Sequence, residues 1–409
     1  MAGYFSKTDF TPSTSNTYTV SFWVKINNFA PTSTNVPYLW SISDSDTSGL
    51  FFQADQTPYN ITFFRNNGST RYSPTNYMRD INAWYHIHLK VSSGTGTLYY
   101  NGESVKTSIT VDAQNYNGGG AEHYIHTYGS ATSTYDNLEC IMSHFHFVDG
   151  TAYEPTVFGS TDSTTGEWKI NTNPSVTYGT NGYFILKDGN TGTDHSGNGN
   201  NFTLTGTCTK TEDCPSNVFA TWNPLYKNNS TFSNGNTTSA SGSSGEFNSA
   251  STLGMSSGKW YMEFKRVSGN YPIFGIVDDI ALAEYSNANM GLGKTGTTKS
   301  IALRLNDGKT RVNNVMSTQG GSISNGDIVG VAVDKTTNKI YFSKNGQWSN
   351  GSGAWDSTTF NASTGATDVS SILTGGTWFF ACGTDTGEAS VTFSANFGNG
   401  YFGTTAVSS

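Results

Sequence analysis

The chain has 409 residues, more than one hydrophobic core usually serves, so two or three domains are expected. Only 13% of residues are charged while 14% are aromatic, which excludes a disordered chain, because such chains carry high charge and little aromatic surface to bury. The net charge of -8, with no Lys/Arg cluster, removes the electrostatic footprint of a nucleic-acid binder.

From the N-terminus, the first ten residues show no apolar run behind a basic start, so export through a secretory signal is not expected. Short alternating or aromatic and β-branched segments then recur between clusters of Gly, Asn, Ser, Thr and Asp, at 18–26, 49–53, 61–65, 84–91, 97–100, 140–148 and 183–187. In the second half the same pattern predicts strands at 260–267, 273–277, 300–306, 327–334, 339–343, 377–382 and 389–393. Almost nothing repeats at helical period, and no apolar run approaches the roughly 20 residues of a membrane helix, so membrane insertion is not expected. The stretches 84–102 and 327–346 each read as a hairpin closed by Asn-Gly, which points to two domains of related build. Between them, 226–251 is rich in small polar residues and reads either as a linker or as the first edge strands of the second domain, with Phe232 and Phe247 as anchors. The expected organisation is all-β: a sandwich over 1–205, a linker or edge-strand segment over 206–245, and a sandwich over 246–409.

Three blocks resemble known families. SGKWYMEFKRVSG with FGIVD, then GDIVGVAVDKTTNKIYFSKNG, then WFFACGTDTGEASVTFSANFG, in that order across 257–398, resemble the SPRY domain. SFWVK, WYHIHLKV with LYYNG, and SHFHFVDG in the first 205 residues are similar to a laminin G-like, concanavalin A-like sandwich. Both resemblances imply two antiparallel sheets packed face to face, here as two tandem concanavalin A-like jelly rolls. FVDGTAYEPTVFG, TGEWK, YGTNGYFILKD, DHSGNGNNFT and CPSNVFATWNPL, across 147–225, resemble a block of structural proteins of tailed bacteriophages, marine and cyanobacterial phages especially. That last resemblance implies a virion protein made in the host cytoplasm and facing the particle exterior. Its implied partners are other virion proteins, further copies of itself and host surface polysaccharide, in a tail fibre or as a capsid decoration. The alternative is a lectin-like or SPRY-type interaction protein outside any virion.

Catalytic constellations are missing from the sequence. The paired acids that concanavalin A-like glucanases carry on one strand are absent, and Asp278, Asp279 and Glu284 have the wrong spacing and read as a surface loop. No GxSxG, Walker loop or HExxH occurs, so an enzyme is not expected.

Binding candidates are more numerous. His86 with His88, and His144 with His146, form two HxH pairs; on neighbouring strands four imidazoles converge as a transition-metal site, and otherwise they lie on the solvent face of a sheet. Asp188, Asn190, Asp194, Ser196, Asn198 and Asn200 alternate with glycines, as loops that wrap calcium do, and the competing reading is an Asx/Gly turn held by its own hydrogen bonds. Trp348 and Trp355, in the Gly/Ser/Asn-rich GQWSNGSGAWD, are the favoured aromatic platforms for a ligand, with Trp40, Tyr72, Tyr77 and Tyr116 as further loop aromatics. Cys140, Cys208, Cys214 and Cys382 are too few for a disulfide scaffold and lack zinc spacing; Cys208 and Cys214 are spaced to close a small loop, and free thiols are the favoured reading.

Overall fold

Alternation of apolar and polar residues sends successive side chains to opposite faces of a strand, and two sheets whose apolar faces meet are the direct result. The computed structural model describes residues 3–11, 13–27, 37–43, 48–53, 60–65, 70–76, 78–80, 82–111, 114–115, 121–127, 138–187, 191–241, 248–282, 292–293, 299–385 and 391–407. The chain divides into two compact units, Met1–Val218 and Phe219–Ser409. Both are antiparallel β-sandwiches of the jelly-roll kind that the sequence predicts. Among the described residues no helix is long and apolar enough to cross a membrane.

In the first unit a seven-stranded sheet runs in the order Thr203–Thr205, Tyr4–Lys7, Glu122–Ile125, Tyr38–Ser43, Ser48–Gln53, Asn60–Arg65, Thr70–Tyr72. Facing it, a six-stranded sheet runs Glu103–Thr110, Thr95–Tyr100, Trp84–Ser92, Tyr18–Ile26, Cys140–Asp149, Tyr183–Ile185. Val20, Phe22, Val24, Ile87, Leu89, Phe145 and Phe147 point between the sheets and are buried with Trp40, Leu50 and Phe63. Trp40 therefore belongs to the core, not to a loop surface; its strand position, masked in the sequence by a neighbouring Pro/Ser/Thr stretch, is the reason.

The opposite face of the six-stranded sheet is covered as well, by residues 151–178 and by Asp213. Trp168, on the short strand Trp168–Ile170, stacks on His86 with ring centroids 5.9 Å apart, and Phe158 lies 5.0 Å from His146. The Trp168 indole fits because Gly102 and Gly159 lack side chains: a Cβ at Gly102 would come within 2.5 Å of the ring. Gly102 also has φ +80°, the left-handed conformation that the Asn-Gly hairpin turn demands. Beneath this layer Lys25 Nζ meets Asp213 Oδ2 at 2.8 Å with both side chains almost fully buried, and Trp84 Nε1 donates to Asp213 Oδ1.

The second unit repeats the plan. A seven-stranded sheet runs Trp222–Asn228, Asn248–Ser251, Trp378–Thr384, Pro272–Asp278, Ser300–Arg304, Lys309–Val312, Val315–Thr318. The facing eight-stranded sheet follows the path Ser230–Ser233, Thr238–Ser241, Thr392–Asn396, Lys259–Ser268, Ile328–Asp334, Lys339–Lys344, Gln347–Trp348, with Thr367–Asp368 paired beside Lys339–Lys344. Phe264 and Phe274 stack at 3.6 Å at the centre of the core. The small polar residues that leave 226–251 open between linker and strand form the edge of both sheets here, where few side chains need be apolar. Trp222 is fully buried and Phe232 packs on the core, while Phe247 lies outside the described residues.

Candidate functional site

In the second unit the outward face of the eight-stranded sheet carries a cluster of aromatic rings, two exposed and two half-buried. On Lys259–Ser268, Met262 and Phe264 turn into the core, so Tyr261 and Glu263 turn out. The same alternation buries Val329, Val331 and Val333 and turns Gly330 and Ala332 outward; Ile340 and Phe342 go in, Tyr341 and Ser343 out. Register then lines Tyr261, Ala332 and Tyr341 side by side across three strands, and Glu263, Gly330, Ser343 and Trp348 across four. Small residues form the floor and aromatic rings stand around it.

The rings are held in a chain. Tyr261 lies 6.1 Å from Trp348, Trp348 6.4 Å from Phe360, and Phe360 6.1 Å from Tyr341, all tilted. Tyr261 leans across the floor because nothing stands at Gly330: a Cβ there would sit 2.7 Å from the Tyr261 hydroxyl and 2.4 Å from Ser343 Oγ. Tyr261 is 52% exposed and Phe360 37%, so the cluster faces solvent. The Tyr261 hydroxyl donates to Glu263 Oε1 at 2.8 Å; burial, together with this bond and the charge of Glu263, pushes the phenol above its usual range. The phenol stays protonated, and the carboxylate keeps lone pairs to accept hydroxyl donors from a ligand. The loop bearing Phe360 is pinned by Ser349 Oγ on Gln319 and by Asp356, which accepts from the Thr358 and Thr359 side chains.

Of the two tryptophans read from GQWSNGSGAWD, Trp348 joins this surface and Trp355 does not. Trp355 packs against the core, its indole resting on Gly320 and its Nε1 donating to Gly321 O at 2.8 Å. Tyr261, Tyr341 and Phe360 escaped the sequence reading because two lie in strands whose alternation says which residues share a face, not whether that face is covered. Among the other loop aromatics, Tyr72 packs on the first core, and Tyr77 and Tyr116 lie outside the described residues.

The four histidines do share one sheet face, the one opposite the core, but that face is not solvent-exposed. Tyr153, Phe158, Trp168 and Tyr178 lie over His86, His88 and His146, and all four histidines are buried. Their ring nitrogens are engaged singly: His86 Nδ1 accepts from Trp168 Nε1 at 3.0 Å and Nε2 pairs with Ser21 Oγ at 2.8 Å. Since an indole only donates, Nε2 carries the proton. His88 Nε2 donates to Tyr153 O, His146 Nδ1 pairs with Tyr178 Oη, and His144 Nδ1 with Ser143 Oγ. Burial, before any charge effect, pushes the His88 pKa down to about 3 and those of His86 and His146 well below 6.5, so these rings are neutral. Among the described residues no group of three or more His, Cys, Asp or Glu side chains is arranged to hold a metal.

Asp194 is likewise turned to internal use. Oδ1 accepts from the Phe184 and Ser196 amides, and Oδ2 from Ser196 Oγ and the Asn200 amide, at 2.8–2.9 Å. Asn198 and Asn200 point their amide nitrogens at Gly179, Thr180 and Gly182 carbonyls. This is the geometry of a self-tied turn; Asp188 and Asn190 lie outside the described residues. Asp278 is fully buried at a strand end, where it caps the Gly375 and Ile280 amides, in place of the surface position expected for it, and Asp279 accepts from the Thr377 amide; Glu284 lies outside the described residues. All four cysteines are free.

Residues 2–138 match the family model described as the concanavalin A-like lectin/glucanases superfamily, laminin G type. Among solved structures the chain is similar to the SPRY domain of human HERC1, with 15% identity, 42% of this chain and 96% of that one covered, and a TM-score of 0.32. The TRIM65 PSpry domain follows at 13% identity, 43% and 91% coverage and a TM-score of 0.31. A putative carbohydrate-binding protein from Bacteroides ovatus is matched at 15% identity, over 53% of this chain and 60% of that one, with a TM-score of 0.34. No curated protein matches the chain.

Proposed function

We propose that this chain is a non-enzymatic carbohydrate-binding protein, and that its second unit holds a glycan on the surface formed by Tyr261, Tyr341, Trp348 and Phe360. The observation that carries the reading is the chain of rings on this face, Tyr261 and Phe360 exposed and Tyr341 and Trp348 half-buried, with Tyr261 seated over buried Gly330 and Ser343: sugars offer an apolar ring face to stack and equatorial hydroxyls to bond. Glu263, at the rim, supplies the acceptor. The lectin/glucanase family match over 2–138 supports the same class of ligand for the first unit, and the sequence lacks the acid pair that its glucanase branch would need.

The test is a titration of the full chain with defined oligosaccharides, read by isothermal calorimetry and tryptophan fluorescence. Saturable binding lost in Trp348→Ala supports the reading; binding by no glycan, or binding unaltered by that substitution, overturns this site. Within this reading the resemblance of 147–225 to phage structural proteins is the sole support for a place on a virion exterior. Immunogold labelling of purified particles decides it: label at the tail or on the capsid supports the placement, and its absence favours a lectin or SPRY-type binding protein outside any virion.

A further inference from the structure

Glu263 shares a row of the sheet with Trp348 and is bonded by Tyr261, yet among the described residues it has no ion-pair partner. Other charges on this face are matched. Register sets Lys259, Asp334, Lys339 and Asp368 side by side with alternating sign, Lys259 Nζ lies 3.9 Å from Asp334 Oδ2, and Lys344 Nζ lies 3.1 Å from Asp327 Oδ2. The nearest outward cation on the strand of Glu263 is Lys265, about 7 Å further along and on the side away from Tyr261. The carboxylate is nonetheless held in place, because the Tyr261 hydroxyl donates to Oε1 at 2.8 Å, and about three of its four lone-pair sites stay open. A half-buried carboxylate without a countercharge is unfavourable, and the rings beside it carry negative charge on their faces. With centroids 6.1 to 6.4 Å apart, a cation seated between two neighbouring rings falls within the roughly 6 Å over which a ring face attracts it.

Resting on the reading of this surface as a glycan site, we propose that its ligand carries a free primary ammonium group, as hexosamine units do when they lack the N-acetyl substituent. Such a group finds two kinds of partner here. Its N–H groups give charge-assisted bonds to the open Glu263 oxygens, about twice as strong as bonds from neutral hydroxyls. Its charge is attracted by the Tyr261 and Trp348 rings, which leaves Tyr341 and Phe360 to stack the apolar face of the sugar. Gly330, Ala332 and Ser343 add no competing charge to the floor. N-acetylation turns the ammonium into a neutral amide and removes both attractions. A uronic acid brings a second negative charge to Glu263 and is disfavoured for the opposite reason.

The experiment is calorimetric titration of the full chain at pH 6, at low and at physiological salt, with a tetramer of β-1,4-linked glucosamine and with the same tetramer fully N-acetylated. The glucosamine tetramer is expected to bind about tenfold more tightly, by a margin that shrinks as salt is added. A chain of net charge -8 attracts any polycation weakly, so Glu263→Gln is the arm that decides. It keeps an oxygen for the Tyr261 hydroxyl, removes one charge, and is expected to bring the ratio of the two affinities close to one. Equal affinities in the unaltered chain, tighter binding of the acetylated tetramer, or a ratio unchanged in Glu263→Gln overturns the ammonium proposal and leaves the glycan site standing. So does binding of neither tetramer by a chain that holds another glycan through Trp348. A chain that binds no glycan at all overturns both. Should Glu263→Gln fail to fold, carbodiimide coupling of the bound glucosamine tetramer to the unaltered chain decides instead: attachment at Glu263, located by peptide mass spectrometry, supports the proposal, and attachment only at other carboxylates sinks it.

Discussion

At Gly330 a single missing methyl group shapes the surface proposed to bind sugar. With the floor open, the Tyr261 ring crosses toward Trp348; filled, the Cβ meets both the Tyr261 hydroxyl and Ser343 Oγ. Gly330→Val is therefore expected to push Tyr261 off the floor and abolish glycan binding while Tyr261→Ala, which leaves the floor clear, weakens it by roughly fivefold, the loss of about 1 kcal/mol of stacking. Calorimetric titration with the same oligosaccharide checks both, and equal affinities for Gly330→Val and the parent would rule the floor out as part of the site. Tyr261→Ala should leave the melting temperature unchanged, because the ring is half in solvent. This scale was the least legible in the sequence. Trp348 was readable from its turn-rich neighbourhood, but Trp355, in the same stretch, rests on Gly320, which lies 35 positions upstream and cannot be paired with it by local pattern.

Strands and hairpins were far easier to read than what lies over them. Alternation marked Ile87 and Leu89 as one face and His86 and His88 as the other, and the Asn101-Gly102 turn was plain; the cover over the histidines was not, since 151–182 and 191–202 have little regular periodicity and are held by single contacts such as Trp168 on His86 and Asp194 on its four donors. Those contacts should be costly to lose. Asp194→Ala removes an acceptor from four groups and is expected to destabilise the first unit by about 2–4 kcal/mol, measured by urea unfolding. Lys25 and Asp213 offer a sharper comparison. Lys25→Met strands a buried carboxylate and should cost about 3–5 kcal/mol, whereas Lys25→Met with Asp213→Leu removes both charges and should be the more stable of the two variants, short of the parent by the acceptor that Trp84 loses. A double variant weaker than the single one would mean that the ion pair itself, not the penalty of an unpaired charge, holds the layer in place.

Across the whole molecule the titratable groups are divided unevenly, and pH should separate the two units. All seven histidines lie before residue 200, within Met1–Val218, and Phe219–Ser409 has none. His88 and His123 are buried neutral, each with its pKa pushed down to about 3 by burial. In the unfolded chain such a ring binds its proton near pH 6.5, so acid stabilises the unfolded state first; the stability is whole above pH 6.5 and is lost as pH falls from there toward 3. At pH 5 the cost is about 2 kcal/mol for each such ring, and His86 and His146 add in the same direction. His126 works the other way: raised to about 9, it contributes below pH 6.5 and that contribution is lost as pH rises through 9. The first unit should thus be most stable near neutrality. The second unit has carboxylates held below their usual range, Asp327 and Asp334 among them, whose contribution is complete above pH 3.8 and does not change between pH 7 and 5. Differential scanning calorimetry of the full chain is expected to show one transition falling in temperature between pH 7 and pH 5 while the other stays in place, and the isolated 1–218 fragment to carry the moving one. Two transitions that shift together, or a fragment insensitive to acid, would show that the histidine layer is not closed to protons as its hydrogen bonds imply.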